Sequence, residues 1–369
     1  MKILIAPNNF KESISASGAA AAIDSGIRST FSAADTFCLP LSDGGEGFVD
    51  ALVNATSGTK INCRALDPLG RTISGYYGQI DKKTAVIEMA LVSGLERLKE
   101  NEKNPWLTTT YGTGQLVKDA IEKGFNRIIM GIGGSATNDA GMGMLQALGV
   151  EFYTQSGDLI TGSGAQYLPE VDCIDPDGLE KSIRGISFVV ACDVTNPLFG
   201  QQGATYVYGP QKGADPDLLS TLENSVLHFH QKSMKQLKID KSGRPGAGAA
   251  GGIGYAMMAY LNAEMQPGFD LVAKHTFLEE KVKWADLIIT GEGKIDDQTI
   301  RGKVISRLAN LTRKHSKRLL VFGGMVENTV VIDGVERYFS ILEDAKDETD
   351  SMKNAARYLS KMSAELRFL

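Results

Sequence analysis

The chain has 369 residues, 43% hydrophobic and 22% charged, and its 39 basic against 44 acidic side chains leave a net charge of −5. This is an ordinary globular composition, long enough for two domains of roughly 150 residues each. No basic patch dominates, which argues against nucleic acid or an anionic membrane surface as the main partner. No apolar run reaches the ~18 residues of a membrane span.

The apolar stretch that follows Met1-Lys2 is too short for the core of a signal peptide. Four cysteines (Cys38, Cys63, Cys173, Cys192) lie far apart with no CxxC, so the expected setting is a reducing cytoplasm. His228 and His230 stand two apart on a predicted helix and are read as surface residues. Glycine is in excess, 41 residues clustered in short loops, and those loops are where chemistry is sought.

In chain order, Lys2–Ala6 is a buried strand followed by the polar loop Pro7–Ser13. There Lys11 and Ser13 could meet phosphate, or be a solvated lysine and a cap. Ser15 or Ser17 caps a helix that runs to about Phe31. Strand Thr36–Leu41 ends in Ser42-Asp43-Gly44-Gly45-Glu46-Gly47. Two carboxylates flanking a Gly-Gly turn suit Mg²⁺ or a substrate proton. Helix Phe48–Ala55 follows. Lys60–Leu66, Arg71–Ile80 and Thr84–Met89 then read as hairpin strands joined by tight turns, which places a domain boundary near residue 75.

Thr108–Gly114 opens a helix over Gln115–Lys123, and Ile128–Met130 ends a buried strand. Gly131, Gly133 and Gly134 follow, then Ser135, Thr137, Asn138 and Asp139, the last two as helix caps ahead of the stripe Met142, Met144, Leu145 and Leu148. Strand, glycine loop and helix N-terminus together make an anion site. Two other readings stand beside it. One is a dinucleotide fingerprint, Gly131-x-Gly133-x-x-Ala136, with Glu151 as its ribose acid; the other is a plain turn.

Ile186–Ala191 is a strand that ends in Cys192-Asp193-Val194-Thr195-Asn196. Asp193 is a candidate proton acceptor or metal ligand there, with Asn196 three residues on. Gln211 and Lys212 stand in a loop of small residues before the helix Pro216–Leu237. Gly246–Gly252 is a literal GxGxxG, containing Gly248 and Gly251, but no strand precedes it, so phosphate binding and close helix packing are equally open. Helix Ile253–Asn262 follows. Strand Ala285–Thr290 ends in a loop with Glu292, Lys294 and Asp296, and Lys303 lies just beyond. Helix Val304–Thr312, strands Leu319–Phe322 and Arg337–Leu342 and a helix from about Ser351 complete the chain.

The C-terminal third thus has the same pattern as the start. The expected architecture is α/β with two domains. Residues 1–75 plus 285–369 form a Rossmann-like parallel sheet built from both chain ends. Residues 76–284 form an inserted mixed α/β domain carrying the GGSATND and GAGAAGG loops. There is no P-loop, protein-kinase motif or GxSxG elbow. Gly-rich loops with a few lysines and many carboxylates are the inventory of phosphoryl transfer. A non-catalytic hydroxy-acid or nucleotide sensor and an NAD(P)-dependent hydroxy-acid dehydrogenase are the alternatives.

Eight blocks together resemble the first family of bacterial glycerate kinases across essentially the whole chain: IAPNNFKES, LSDGGEG, TTYGTGQL, GIGGSATNDAGMGML, ACDVTNPLFGQQGA, GPQKGA, PGAGAAGG and DLIITGEGKIDDQT with GK. The resemblance implies two α/β domains and ATP- and Mg²⁺-dependent phosphorylation of D-glycerate, 2-phosphoglycerate favoured, in organic acid and glyoxylate catabolism. It departs at Asn8, where the family has an acid. On this reading Lys11 and the loop Gly133, Gly134, Ser135 and Thr137 bind phosphate or carboxylate. Asp193, then Asp296, accepts the proton. Asp43, Glu46 and Glu292 organise Mg²⁺. The remaining contacts with substrate or phosphate are assigned to Ser13, Gly44, Gly45, Asn138, Asp139, Asn196, Gln211, Lys212, Gly248, Gly251 and Lys303.

Overall fold

The computed structural model describes residues 1–300, 304–327 and 329–366. The strands are β1 (Lys2–Ile5), β2 (Asp35–Cys38), β3 (Thr59–Leu66), β4 (Thr72–Gln79), β5 (Thr84–Glu88), β6 (Arg127–Gly131), β7 (Glu151–Tyr153), β8 (Cys173–Asp175), β9 (Ser187–Ala191), β10 (Glu264–Gln266), β11 (Leu287–Ile295), β12 (Arg318–Val326) and β13 (Arg337–Ser340). They fall into two units. The first comprises Met1–Asp43, Asp50–Ala55 and Phe269–Leu369; the second comprises Gly44–Val49 and Thr56–Gly268.

The first unit is built on an all-parallel sheet in the order β13-β12-β11-β1-β2, so both chain ends do share one sheet. Its central strands carry the buried apolar runs Ile3–Ile5, Leu287–Ile289 and Leu319–Phe322, as a sheet covered on both faces requires. Ile3, Leu4 and Ile5 face the register partners Leu287, Ile288 and Ile289, and all six are fully buried. Helix Ala16–Thr30 begins where the Ser15 hydroxyl accepts the Gly18 amide, and it buries Ala19, Ala20, Ile23 and Ile27 at helical spacing. It packs on helix Ala355–Ala364 so closely that a Cβ on Gly26 would lie 2.0 Å from the Ser360 carbonyl. β11 does not stop at Thr290 as the sequence suggested. It runs on through Glu292 and Lys294, because its pairing with β12 continues to Ile295↔Val326.

The second unit holds a six-stranded mixed sheet, β10-β9-β6-β5-β4-β3, and the small antiparallel pair β7-β8. β3 and β4 pair antiparallel over eight positions, from Thr59↔Gln79 to Leu66↔Thr72. The boundary expected near residue 75 therefore falls inside β4, since a hydrogen-bonded ladder of that length cannot be divided. At the other end, helices Gly268–His275 and Leu278–Trp284 count with the first unit from Phe269 onward, so its second segment starts before the expected residue 285.

Helix Pro216–Leu237 matches its predicted bounds, capped by the Asp215 carboxylate on the Leu218 amide. The histidines on it differ from expectation. His230 is buried between the rings of Phe199 and Tyr255, and burial lowers its pKa. His228 is half-buried, with Nε2 2.8 Å from the Val171 carbonyl. Among the described residues no helix is long and apolar enough to cross a membrane.

Candidate active site

In the second unit, β5, β6, β9 and β10 are parallel, so their carboxyl ends share one edge, the usual ligand edge of an open α/β sheet. Two glycine loops meet there. The Gly133 amide donates to the Gly44 carbonyl at 3.2 Å. A Cβ on Gly133 would lie 2.6 Å from Gly45 Cα, one on Gly131 2.5 Å from the Gly44 carbonyl, and one on Gly44 2.9 Å from Ala191 Cβ. Backbone rests on backbone, and any side chain would push the loops apart. Glu88, at the end of β5, holds the first loop from below. Its buried carboxylate accepts the Gly47 and Val49 amides, each at 3.1 Å, and so caps helix Phe48–Ala55. The sequence reading missed Glu88, although an acid closing the apolar run TAVIE was a visible signal.

The second loop is less simple than a strand feeding a helix N-terminus. The helix after it is only Met142–Ala147, and the Asp139 carboxylate already occupies its start, accepting Gly141 at 3.1 Å and Gly143 at 3.3 Å. Asp139 is fully buried and also accepts the Thr110 amide and hydroxyl, both at 2.8 Å. Burial raises its pKa, and those four hydrogen bonds oppose the rise. The anion donors are therefore in the loop itself. The Gly133 and Ala136 amides go to the Gly44 and Ser93 carbonyls, while those of Gly134 and Ser135 have no protein partner among the described residues. Gly134 is exposed with φ +73°, a conformation that glycine permits.

The residues after Ser135 turn inward, and several side chains expected at a ligand are engaged within the protein. Thr137 and Asn138 are fully buried. Asn138 Nδ2 donates to Thr205 Oγ1 at 3.1 Å, and Thr108 Oγ1 donates to the Ala136 carbonyl at 2.8 Å. Lys212, only 1% exposed, donates from Nζ to the Thr137 carbonyl at 2.7 Å. Burial drives its pKa down to about 7, with the Asp139 charge pulling the other way. The GxGxxG run is packing. A Cβ on Gly251 would fall 2.0 Å from that same Thr137 carbonyl, and one on Gly248 2.1 Å from the Pro197 carbonyl. Asn196 is spent on its turn, since Nδ2 donates to the Gln202 carbonyl and Oδ1 accepts the Tyr208 hydroxyl. Thr137, Asn138, Asp139, Asn196, Lys212, Gly248 and Gly251 thus shape the edge from within. Thr108 and Thr110, read from sequence as a helix opener, belong to the same network. Gln211 and Asp193 are exposed, and Asp193 Oδ1 accepts the Gly268 amide at 3.2 Å just beyond β9.

The first unit has its own carboxyl edge, where the loops after β1, β2 and β11 run side by side. The Leu41 amide donates to the Pro7 carbonyl and the Asn8 amide to the Gly291 carbonyl, each at 2.8 Å. A Cβ on Gly293 would sit 3.2 Å from the Lys11 amide nitrogen, so the Lys11 backbone lies against β11 beside Glu292. Lys11 is exposed, Asp43 is half-buried, and Glu292 is 8% exposed, accepting the Thr299 hydroxyl at 2.5 Å. Asp296 lies 3.4 Å from Lys294 Nζ, which also pairs with Glu327 at 2.9 Å. The exposed Ser13 hydroxyl donates to the Met352 carbonyl at 2.5 Å. Lys303 lies outside the described residues. No group of three or more His, Cys, Asp or Glu side chains that could hold a metal ion occurs among the described residues.

The sequence pattern of the glycerate kinase family matches residues 3–368. This chain belongs to the glycerate kinase family. The glycerate kinase of Bacillus subtilis (strain 168) is 43% identical over 370 residues, covering 99% of this chain and 97% of its own length. Glycerate 2-kinase of Escherichia coli (strain K12) is 41% identical with the same coverage. A crystal structure assigned as glycerate kinase 2 from Salmonella typhimurium LT2 superposes with a TM-score of 0.84 at 40% identity, covering 99% of this chain and 97% of that one. The kinase reading is thereby separated from the dinucleotide one, and the structure agrees. Glu151 lies in the separate β7-β8 pair and bonds the Tyr153 hydroxyl, so it is not an acid at the end of a neighbouring sheet strand.

Proposed function

We propose that this kinase transfers the γ-phosphoryl group of ATP to D-glycerate and yields 2-phosphoglycerate, in the catabolism of organic acids in the cytoplasm. The observation that carries the reading is the nest of two glycine loops at the sheet edge of the second unit, with the Gly134 and Ser135 amides unpartnered among the described residues. Backbone N–H groups in such a loop bind anionic oxygens without the cost of ordering side chains. The name of the Escherichia coli relative supports phosphorylation at O2.

Lys11 supplies a cation at the first unit's edge. Asp193 accepts the hydroxyl proton of glycerate as the new O–P bond forms and the bond to the β-phosphate oxygen breaks. It is suited to this because it is exposed just beyond the carboxyl end of β9, where its Oδ1 accepts the Gly268 amide. Asp296 is second choice, since its carboxylate is engaged by Lys294 Nζ at 3.4 Å. Mg²⁺ usually needs only one or two protein carboxylates beside substrate phosphates. Asp43 and Glu292, at the carboxyl edge of one sheet, fit that requirement, and Glu46 is the further candidate. The ion would neutralise phosphate charge.

The test is release of ADP from ATP with D-glycerate in the presence of Mg²⁺, with phosphorus NMR of the product. A 2-phospho ester is expected. A 3-phospho ester would overturn the position of transfer, and absence of glycerate-dependent ADP would overturn the substrate.

A further inference from the structure

Lys212 lies beneath the glycine loop with almost no solvent contact, and a lysine in such a place needs a reason. Burying an ammonium is costly unless it is paired, and an apolar chain of similar length would fill the space at less cost. Its Nζ donates to a neutral group, the Thr137 carbonyl, at 2.7 Å. Asp139 is the charged side chain that acts on it. That carboxylate is already held by Thr110, Gly141 and Gly143 and makes no ion pair with Lys212. The same Thr137 carbonyl is enclosed from another side by the Gly251 backbone. Two acceptors next to it, Thr137 Oγ1 and Asn138 Oδ1, are buried without a hydrogen-bond partner. The fold therefore spends a cation, and leaves polar groups unsatisfied, two residues along the chain from Ser135.

We propose that Lys212 is a positioning residue: tethered to the Thr137 carbonyl, its ammonium sets the Gly134–Ser135 amides and attracts, from behind the loop, an anion that it never touches. This rests on the reading of that loop as the phosphate site. Linkage makes it measurable. If an anion favours the protonated lysine, binding takes up protons, and a tenfold gain in affinity corresponds to a rise of about one pKa unit. The lysine's pKa, lowered to about 7 by burial, places that uptake in an accessible range.

The experiment is calorimetric titration of the full chain with ADP in two buffers of different ionisation enthalpy at about pH 8, where a phosphate with its pKa near 6 is already fully ionised. The wild type should take up a fraction of a proton, and Lys212→Met should bind about twofold more weakly at that pH, a deficit that grows toward tenfold as pH falls below 7, with that uptake lost. The KM for ATP should rise more than kcat falls, which general loosening of the fold would not select. Equal proton uptake in wild type and variant overturns the proposal. If Lys212→Met does not fold, the wild-type measurement decides alone, and ADP binding without uptake overturns it. A wild type that binds no ADP sinks the reading of the loop as an anion site as well, which separates the two failures.

Discussion

Gly133 and Gly45 stand so close that a methyl group on the first would lie 2.6 Å from the Cα of the second. Neither partner can yield cheaply, because both atoms belong to backbone within loops fixed by their own hydrogen bonds. Gly133→Ala should therefore lower kcat/KM at least about 100-fold, as loss of an aligned loop does, and destabilise the chain by about 1–3 kcal/mol. Gly243→Ala is the control, since a Cβ there meets nothing within 4 Å and its φ is not positive. Thermal melting and steady-state kinetics on both variants check this. Equal effects at the two positions would show that the nest does not matter.

Glu88 acts on the same nest through hydrogen bonds. Glu88→Gln keeps the volume but replaces one acceptor by a donor that faces an N–H. A buried group left unsatisfied costs about 1–3 kcal/mol. The variant should melt earlier and lose activity, with a larger loss than Glu46→Gln in stability because Glu46 is only half-buried. Denaturant unfolding of the two variants gives the comparison.

Asp193 is exposed, so its replacement should leave the fold intact. Asp193→Asn should reduce kcat by about 10²–10⁴, the usual worth of a general base, with unchanged melting. Asp296→Asn should cost less. A near-normal kcat in Asp193→Asn would remove it from the proton-transfer role, and a larger loss in Asp296→Asn would transfer the role there.

The stability of the chain should carry the mark of Lys212. Its folded pKa is lowered from 10.5 to about 7, so between those values the unfolded chain binds the extra proton. Stability then rises with pH across that window, is fully gained above the unfolded value, and is lost as pH falls through about 7. Buried tyrosines such as Tyr260, whose pKa burial raises above the window, titrate near its top only in the unfolded chain, so the quantity to follow is the difference between wild type and Lys212→Met. That difference should move in favour of the wild type as pH rises from 7 to 9. A flat difference would mean that the lysine stays protonated in the folded chain.

Much of this was legible in the residues alone. Local apolar patterns located the longer strands and helices, though not the three-residue strands β7, β8 and β10, because burial leaves a local signature only in segments of some length. The glycine loops and the acids around them were equally visible, and so was the family. What each motif does was not. Lys212 and Lys11 look alike in sequence, each a lysine in a loop of small or polar residues. One proves buried against a carbonyl and the other exposed at a sheet edge. Asp139 reads as a helix cap and serves as one, but its burial and its bonds to Thr110 depend on a segment nearly thirty residues away. The strand pairing that carries β3 and β4 into the six-stranded sheet is likewise non-local. Sequence determined the elements, the loops and the chemistry available, since those follow from local pattern and composition. Only tertiary structure decided which polar side chains face a ligand and which hold the loops from inside, because burial and hydrogen-bond partners are set by segments far apart in the chain.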